Sequence, residues 1–183
     1  MQERKVLTIN NLDELWNGLL PDFSSGIGLH DFHVTIKLPG HSVDLDIMSS
    51  PGGSAEGGYE STSIHAALPA HPGFEFVIHP EDFLNRIGKL FGMEDVVLGY
   101  PEFDENAIVK TNNPEKLKAI FSSTEVRQVF QSLSGYSFKL DNHEDSDDHY
   151  LDLSIQRAII DLNELERFLR IFFNVLKSLG QGL

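Results

Sequence analysis

The chain has 183 residues with a formal net charge of −14, 40% hydrophobic residues including 13 Phe, and no cysteine. That length fits one domain, expected to run over residues 1–183, and the apolar fraction is enough to build a core. The acidity turns away nucleic acid and anionic membrane as partners, and the lack of thiols excludes disulfides, zinc–thiolate sites and cysteine nucleophiles.

The start, MQERKVLTINNLDEL, lacks the apolar run of a signal peptide, and no stretch approaches 18 apolar residues, so a cytoplasmic protein is expected. KVLTI reads as a short strand. NNLDELWNGLL reads as a helix with Asn11 as N-cap, Glu14 at the capping-box position and Pro21 as its end. Period-two alternation follows. In FHVTIKL, Phe32, Val34, Ile36 and Leu38 share one face; in VDLDIM, Val43, Leu45 and Ile47 oppose Asp44 and Asp46. A four-residue PGHS loop is expected between them, pairing Leu38 with Val43, Lys37 with Asp44 and Thr35 with Asp46. A two-residue Pro-Gly loop also satisfies parity, but its twist splays a hairpin.

Residues 49–62 form a Gly/Ser-rich stretch, expected to be a mobile loop within the domain. SIHAALP and GFEFVIH read as a second hairpin joined by AHPG, with Phe74, Phe76 and Ile78 on its stronger face. HPEDFLNRIGKLFG reads as a helix, with Pro80 at its first position, Gly92 at its C-cap, and Phe83, Ile87, Leu90 and Phe91 as its stripe. DVVLG and NAIVKT read as strands. Asn113 and Pro114 start one helix, and Ser122 with Glu125 forms a capping box for the next, whose apolar residues are Val126, Val129, Phe130 and Leu133. YSFKL and YLDLSI read as a last hairpin joined by DNHEDSDDH. The C-terminal helix begins at Asp161 with Glu164 and ends at Gly180. Its apolar stripe is wider than one face, which suits burial on several sides or a homo-oligomeric contact through Phe168, Ile171, Phe173 and Val175.

The predicted class is α+β: an antiparallel, curved sheet built from hairpins, with helices, notably the C-terminal one, packed on one face. Residues 88–130, GKLFGMEDVVLGYPEFDENAIVKTNNPEKLKAIFSSTEVRQVF, add a resemblance. They are similar to an uncharacterised bacterial domain-of-unknown-function family with a segment G-x-x-D-V-x-x-G-x-P-x-F-D…V-x-T. The matching positions are Gly92, Asp95, Val96, Gly99, Pro101, Phe103, Asp104, Val109 and Thr111, while Tyr100 and Ala107 depart from the pattern. The resemblance implies a fold neighbourhood and no activity. Turn chemistry alone accounts for the segment: Pro101 sets a turn, Phe103 pins it to the core and Asp104 bonds backbone amides.

Two constellations could carry chemistry. The wetter sheet face offers His33, Asp46, His65 and Glu75, the residue types of a metal or general-base site if their strands adjoin, and otherwise a polar open face. The loop DNHEDSDDH offers His143, Asp145, Asp147 and His149, but lacks the glycine and spacing of a calcium loop and suits a solvated hairpin tip. Nucleophile elbows, P-loops and dinucleotide fingerprints are absent. No cofactor is implied. The sequence therefore reads as a non-catalytic binding or regulatory module, with a metal-assisted hydrolase on the open sheet face as the alternative.

Overall fold

The computed structural model describes residues 4–26, 29–50, 58–68, 73–81, 93–142 and 149–179. These residues form an α+β arrangement in which antiparallel strand pairing dominates. No described helix is long and apolar enough to cross a membrane. The chain divides into two compact units, Met1–Ala67 with Ser154–Leu183, and Leu68–Leu153.

The first unit contains strands β1 (Lys5–Thr8), β2 (Asp31–Leu38), β3 (His41–Ser50) and β4 (Tyr59–Leu68), with helices α1 (Leu12–Ser25) and α5 (Leu162–Ser178). Its strands lie in the order β1-β2-β3-β4. The β1–β2 pair is parallel, joined through α1, so a hairpin-only sheet misses its first connection. The alternation in β2 and β3 puts Val34, Ile36, Val43, Leu45 and Ile47 in the core at 0% exposure.

The β2–β3 turn corrects the predicted register. Leu38 pairs with His41, so the loop is Pro39-Gly40 alone, and Thr35 faces Asp44 while Lys37 faces Ser42. Pro39 presets one turn angle and Gly40, at φ 81°, supplies the left-handed one. The splay expected of such a turn is outweighed by eight paired residues and by a side-chain network across the two strands.

Helix α1 starts as read: the Asn11 side chain accepts from the Glu14 N–H at 3.0 Å, and the Glu14 carboxylate accepts from the Asn10 N–H at 2.8 Å. It does not stop at Pro21 but continues to Ser25. Pro21 leaves the Asn17 carbonyl without its helical donor, and beside it the Lys5 ammonium donates to the Gly18 carbonyl at 2.8 Å and pairs with Asp22, tying the end of the helix to β1. Helix α5 begins at Asp161, whose side chain accepts from the Glu164 N–H at 2.8 Å. Beside α1, the Arg170 guanidinium lies 5.5 Å from the Trp16 ring centroid.

The four α5 residues expected at a homo-oligomeric contact are core residues. Phe168, Ile171, Phe173 and Val175 are 1%, 5%, 3% and 1% exposed in the single chain. The single chain already buries this wide apolar face and leaves Asn163, Arg167, Arg170, Asn174 and Lys177 exposed, which removes the excess surface that suggested a second copy.

The second unit contains β5 (Phe76–His79), β6 (Glu94–Asp95), α2 (Pro101–Asp104), β7 (Ile108–Thr111), α3 (Pro114–Ile120), α4 (Thr124–Gln131), β8 (Tyr136–Asn142) and most of β9 (His149–Ile155). Its strand order is β9-β8-β5-β7-β6. The hairpin expected between SIHAALP and GFEFVIH does not form, because both neighbours of β5 are β7 and β8. Phe76, Val77, Ile78 and His79 are all buried, as a central strand covered on both faces requires. The expected strand DVVLG shrinks to Glu94–Asp95, and the expected loop at PEFD is one helical turn. The predicted helix over 80–92 and the centre of the 49–62 loop lie outside the described residues, while Ser49, Ser50 and Tyr59–Thr62 belong to strands.

A run of aromatic rings builds this core. Phe74, Phe76, Phe138, Phe130, Phe121 and Phe103 succeed one another at centroid separations of 5.0–5.5 Å. Such contacts contribute about 0.5–1.5 kcal/mol each beyond area burial. Asn113 caps α3, accepting from the Lys116 N–H at 3.0 Å. The capping box expected for α4 does not form: Ser123 is the N-cap and makes no side-chain bond, while the Ser122 hydroxyl donates backward to the Ala119 carbonyl at 2.7 Å. With α3 and α4 nearly abutting, Ser122 closes the first helix and does not open the second.

Candidate functional site

The predicted sheet-face cluster is partly realised. Register places His33 opposite Asp46, Thr35 opposite Asp44 and, on the next strand, His65 opposite Asp44. His33 Nδ1 lies 2.5 Å from Asp46 Oδ1, and its Nε2 lies 2.8 Å from Asp31 Oδ1. The Thr35 hydroxyl donates to Asp44 at 2.5 Å. Arg4 ties the two carboxylates together, donating to Asp44 at 3.1 Å and to Asp46 at 2.6 Å. The hydrogen bond to Asp46 holds the His33 pKa above its ordinary value of 6.5; desolvation opposes this and Asp31 adds to it.

An imidazole gripped by a carboxylate at each nitrogen retains its proton and has no lone pair to offer substrate or metal. The second unit holds Glu75, whose carboxylate is 3.6 Å from His149 Nε2. His149 is buried at 5% exposure, and His143, Asp145 and Asp147 lie outside the described residues. Among the described residues, no group of three or more His, Asp or Glu side chains is disposed to hold a metal ion.

The motif segment is a structural connection. Asp104 accepts from three successive amides, Leu98 at 2.9 Å and Gly99 and Tyr100 at 2.8 Å each. Gly99 has φ 86°, and a Cβ there would sit 3.3 Å from the Lys118 ammonium. Phe103 is 1% exposed and stacks near Phe121, and the Thr111 hydroxyl donates to the Glu75 carbonyl at 2.7 Å.

The residue that sequence reasoning missed here is Arg127, on α4 and only 7% exposed. Its guanidinium donates to Glu102 at 3.0 Å, to the carbonyls of Phe121 and Ser122 at 2.7 and 2.9 Å, and to the Thr124 hydroxyl at 3.2 Å. It also lies 3.9 Å from the Tyr100 ring centroid. A hydrogen bond to its own backbone, then the Arg127 guanidinium, keeps Glu102 below the usual carboxylate range.

Beside this hub, within the second unit, lies a cavity of about 280 Å³, close to the lower end of small-molecule sites. Phe103, Phe130, Leu133 and Tyr136 form its apolar side, and Glu81, Glu105, Asn106, Gln131 and Ser134 its polar side. Tyr136 is 2% exposed, and its hydroxyl has no hydrogen bond among the described residues; burial pushes its pKa upward, so it stays a neutral phenol. The side-chain amide nitrogens of Asn106 and Gln131 both donate to the Glu102 carbonyl, at 3.1 and 2.6 Å. Their oxygens are then the amide atoms without a protein partner. No signal in the sequence groups these residues, because they come from α2's end, α4 and the start of β8.

A scan of protein-family models finds no match to this sequence, and searches of curated proteins and of solved structures find none.

Proposed function

We propose that the chain is a non-catalytic binding module, of the uncharacterised bacterial kind that its motif segment resembles, and that it binds through the cavity of the second unit. The observation that supports this most is the concave space itself, with Phe103, Phe130, Leu133 and Tyr136 on its apolar side and polar side chains beside them. An apolar wall with a few polar groups beside it is the usual make-up of a small-molecule site. A thermal-shift screen with small polar and aromatic compounds tests the reading. Compounds that raise the melting temperature of the natural chain should lose their effect in Ala107→Trp, which fills the cavity. If every stabilising compound acts equally on both, binding lies elsewhere.

The alternative, a metal-assisted hydrolase, leans on His33, Asp46, His65 and Glu75. The closed pairing of His33 with Asp31 and Asp46 works against it, since the imidazole lacks an open nitrogen. Stabilisation by added zinc or manganese that disappears in both His33→Ala and His65→Ala would revive it.

A further inference from the structure

We infer that the free edge of β1 is a contact between two copies of this chain, which pair antiparallel about a two-fold axis through Leu7. Among the described residues β1 has one strand neighbour, β2. The Ile9 N–H donates to the Lys37 carbonyl at 2.9 Å, so the backbone groups of alternate residues, Lys5, Leu7 and Ile9, turn toward β2. Those of Val6 and Thr8 turn outward. Both of these residues have exposed side chains, Val6 at 54%. A row of outward N–H and C=O groups is a template for another strand, and β1 has no proline to blunt it.

The stretch RKVLTIN, Arg4 to Asn10, fits its own copy. With Leu7 on the axis, Val6 of each chain faces Thr8 of the other, and each such pair exchanges both N–H···O=C bonds. Opposed β-branched residues are favourable cross-strand partners. Lys5 then faces Ile9 and Arg4 faces Asn10, so no like charges oppose one another. Charge also chooses the direction. The strand begins with Arg4 and Lys5, and its far end runs into the acidic first turn of α1, where Asp13 and Glu14 are exposed and Glu14 accepts from the Asn10 N–H. Antiparallel pairing brings the basic end of each copy to the acidic end of the other, whereas parallel pairing sets like against like. Arg4 and Lys5 stay paired with Asp44, Asp46 and Asp22 in their own chain, so this steers the orientation more than it strengthens the contact. The contact uses none of the α5 residues buried in the single chain. One short strand buries less than the standard interface of about 1,600 Å², and the charge of −14 opposes association, so a dissociation constant on the order of 10 µM is expected at physiological salt.

Sedimentation velocity of the intact chain over about 1–300 µM tests the inference, and the average mass should rise from one chain toward two. Val6→Pro removes an N–H that β2 does not use, so it should weaken the dimer about tenfold or more while far-ultraviolet ellipticity stays that of the natural chain. Leu7→Cys checks the register independently. The chain has no cysteine of its own, and the axis sets the two introduced Cα atoms about 4.5 Å apart, within disulfide reach, so mild oxidation should give a covalent dimer. Thr8→Cys, offset from its mate along the strand, should give far less. The mass of one chain at every concentration, with Leu7→Cys left uncross-linked, would overturn the inference. A dimer that persists in Val6→Pro and does not cross-link through Leu7→Cys puts the contact elsewhere and overturns it as well. A monomer that binds a synthetic peptide of alternating lysine and valine, and loses it in Val6→Pro, gives the edge to another protein's strand and overturns the second copy.

Discussion

The polar network on β2 and β3 and the one around Arg127 look alike on a list of ion pairs, yet physically they differ. In the first, Arg4 and Asp44 have side chains 41% and 40% exposed, and every pairing is between side chains at a wet sheet face. In the second, the guanidinium is enclosed, and two of its four hydrogen bonds go to backbone carbonyls between α3 and α4. Water competes for the partners of the first and hardly reaches those of the second. One network follows the register of strands already held by their apolar faces; the other joins α2, the end of α3 and the start of α4 beside the buried rings of Phe103, Phe121 and Phe130.

Substitutions sharpen that contrast. Arg127→Met should have the largest effect, a loss of about 3 kcal/mol in chemical denaturation, because the buried Phe121 carbonyl and the part-buried Ser122 carbonyl lose their donor. Arg127→Lys should recover little, since an ammonium cannot reproduce the planar fork over Tyr100 and both carbonyls. Asp104→Ala follows at about 2 kcal/mol, from three amides losing one acceptor. On the sheet face, Asp46→Asn should cost about 1 kcal/mol at most.

That substitution should also change how stability responds to pH. The pKa of His33 is raised in the folded chain, so its contribution is fully present below 6.5 and is lost as pH climbs through the folded value. The charged groups around it are Asp31, Asp46 and Arg4 with Asp44. Melting temperature should therefore fall from pH 6 to pH 8 in the natural chain and fall less in Asp46→Asn. A profile that is identical in the two would dissolve the distinction between a titrating network and an inert one. The smallest effect belongs to Glu102→Gln, a midpoint shift too small to separate from the natural chain, because that carboxylate is half exposed and Arg127 keeps its backbone acceptors. If Glu102→Gln matched Arg127→Met, the hub would be an ion pair after all.

What was legible in the sequence was whatever a local period or a local cap encodes. Alternation placed Val34 and Leu45 inward, the wide stripe of α5 announced deep burial, and Asn11, Asn113 and Asp161 cap their helices. Asp104 and Phe103 play the loop roles that their chemistry suggested. The β2–β3 turn was missed because two loop lengths satisfy the same parity, and only cross-strand partners decide between them. Helix α1 outlasted Pro21 where Lys5, from another element, bonds Gly18 and Asp22 and ties its end to β1. Arg127 was invisible for the same reason: nothing in the TEVRQVF spacing says that four separate acceptors will converge on one side chain. The cavity likewise assembles from residues scattered over more than fifty positions, with no motif to join them.

The single tryptophan, seated with Arg170 near its ring in the first unit, gives the molecule an optical asymmetry. Indole fluorescence will track the loss of structure around α1 and α5, while the phenylalanine run of the other unit emits almost nothing. Should the two halves melt apart, emission and far-ultraviolet ellipticity will trace curves with different midpoints. Should they melt as one, the curves will superimpose, and a single free energy will describe the whole chain.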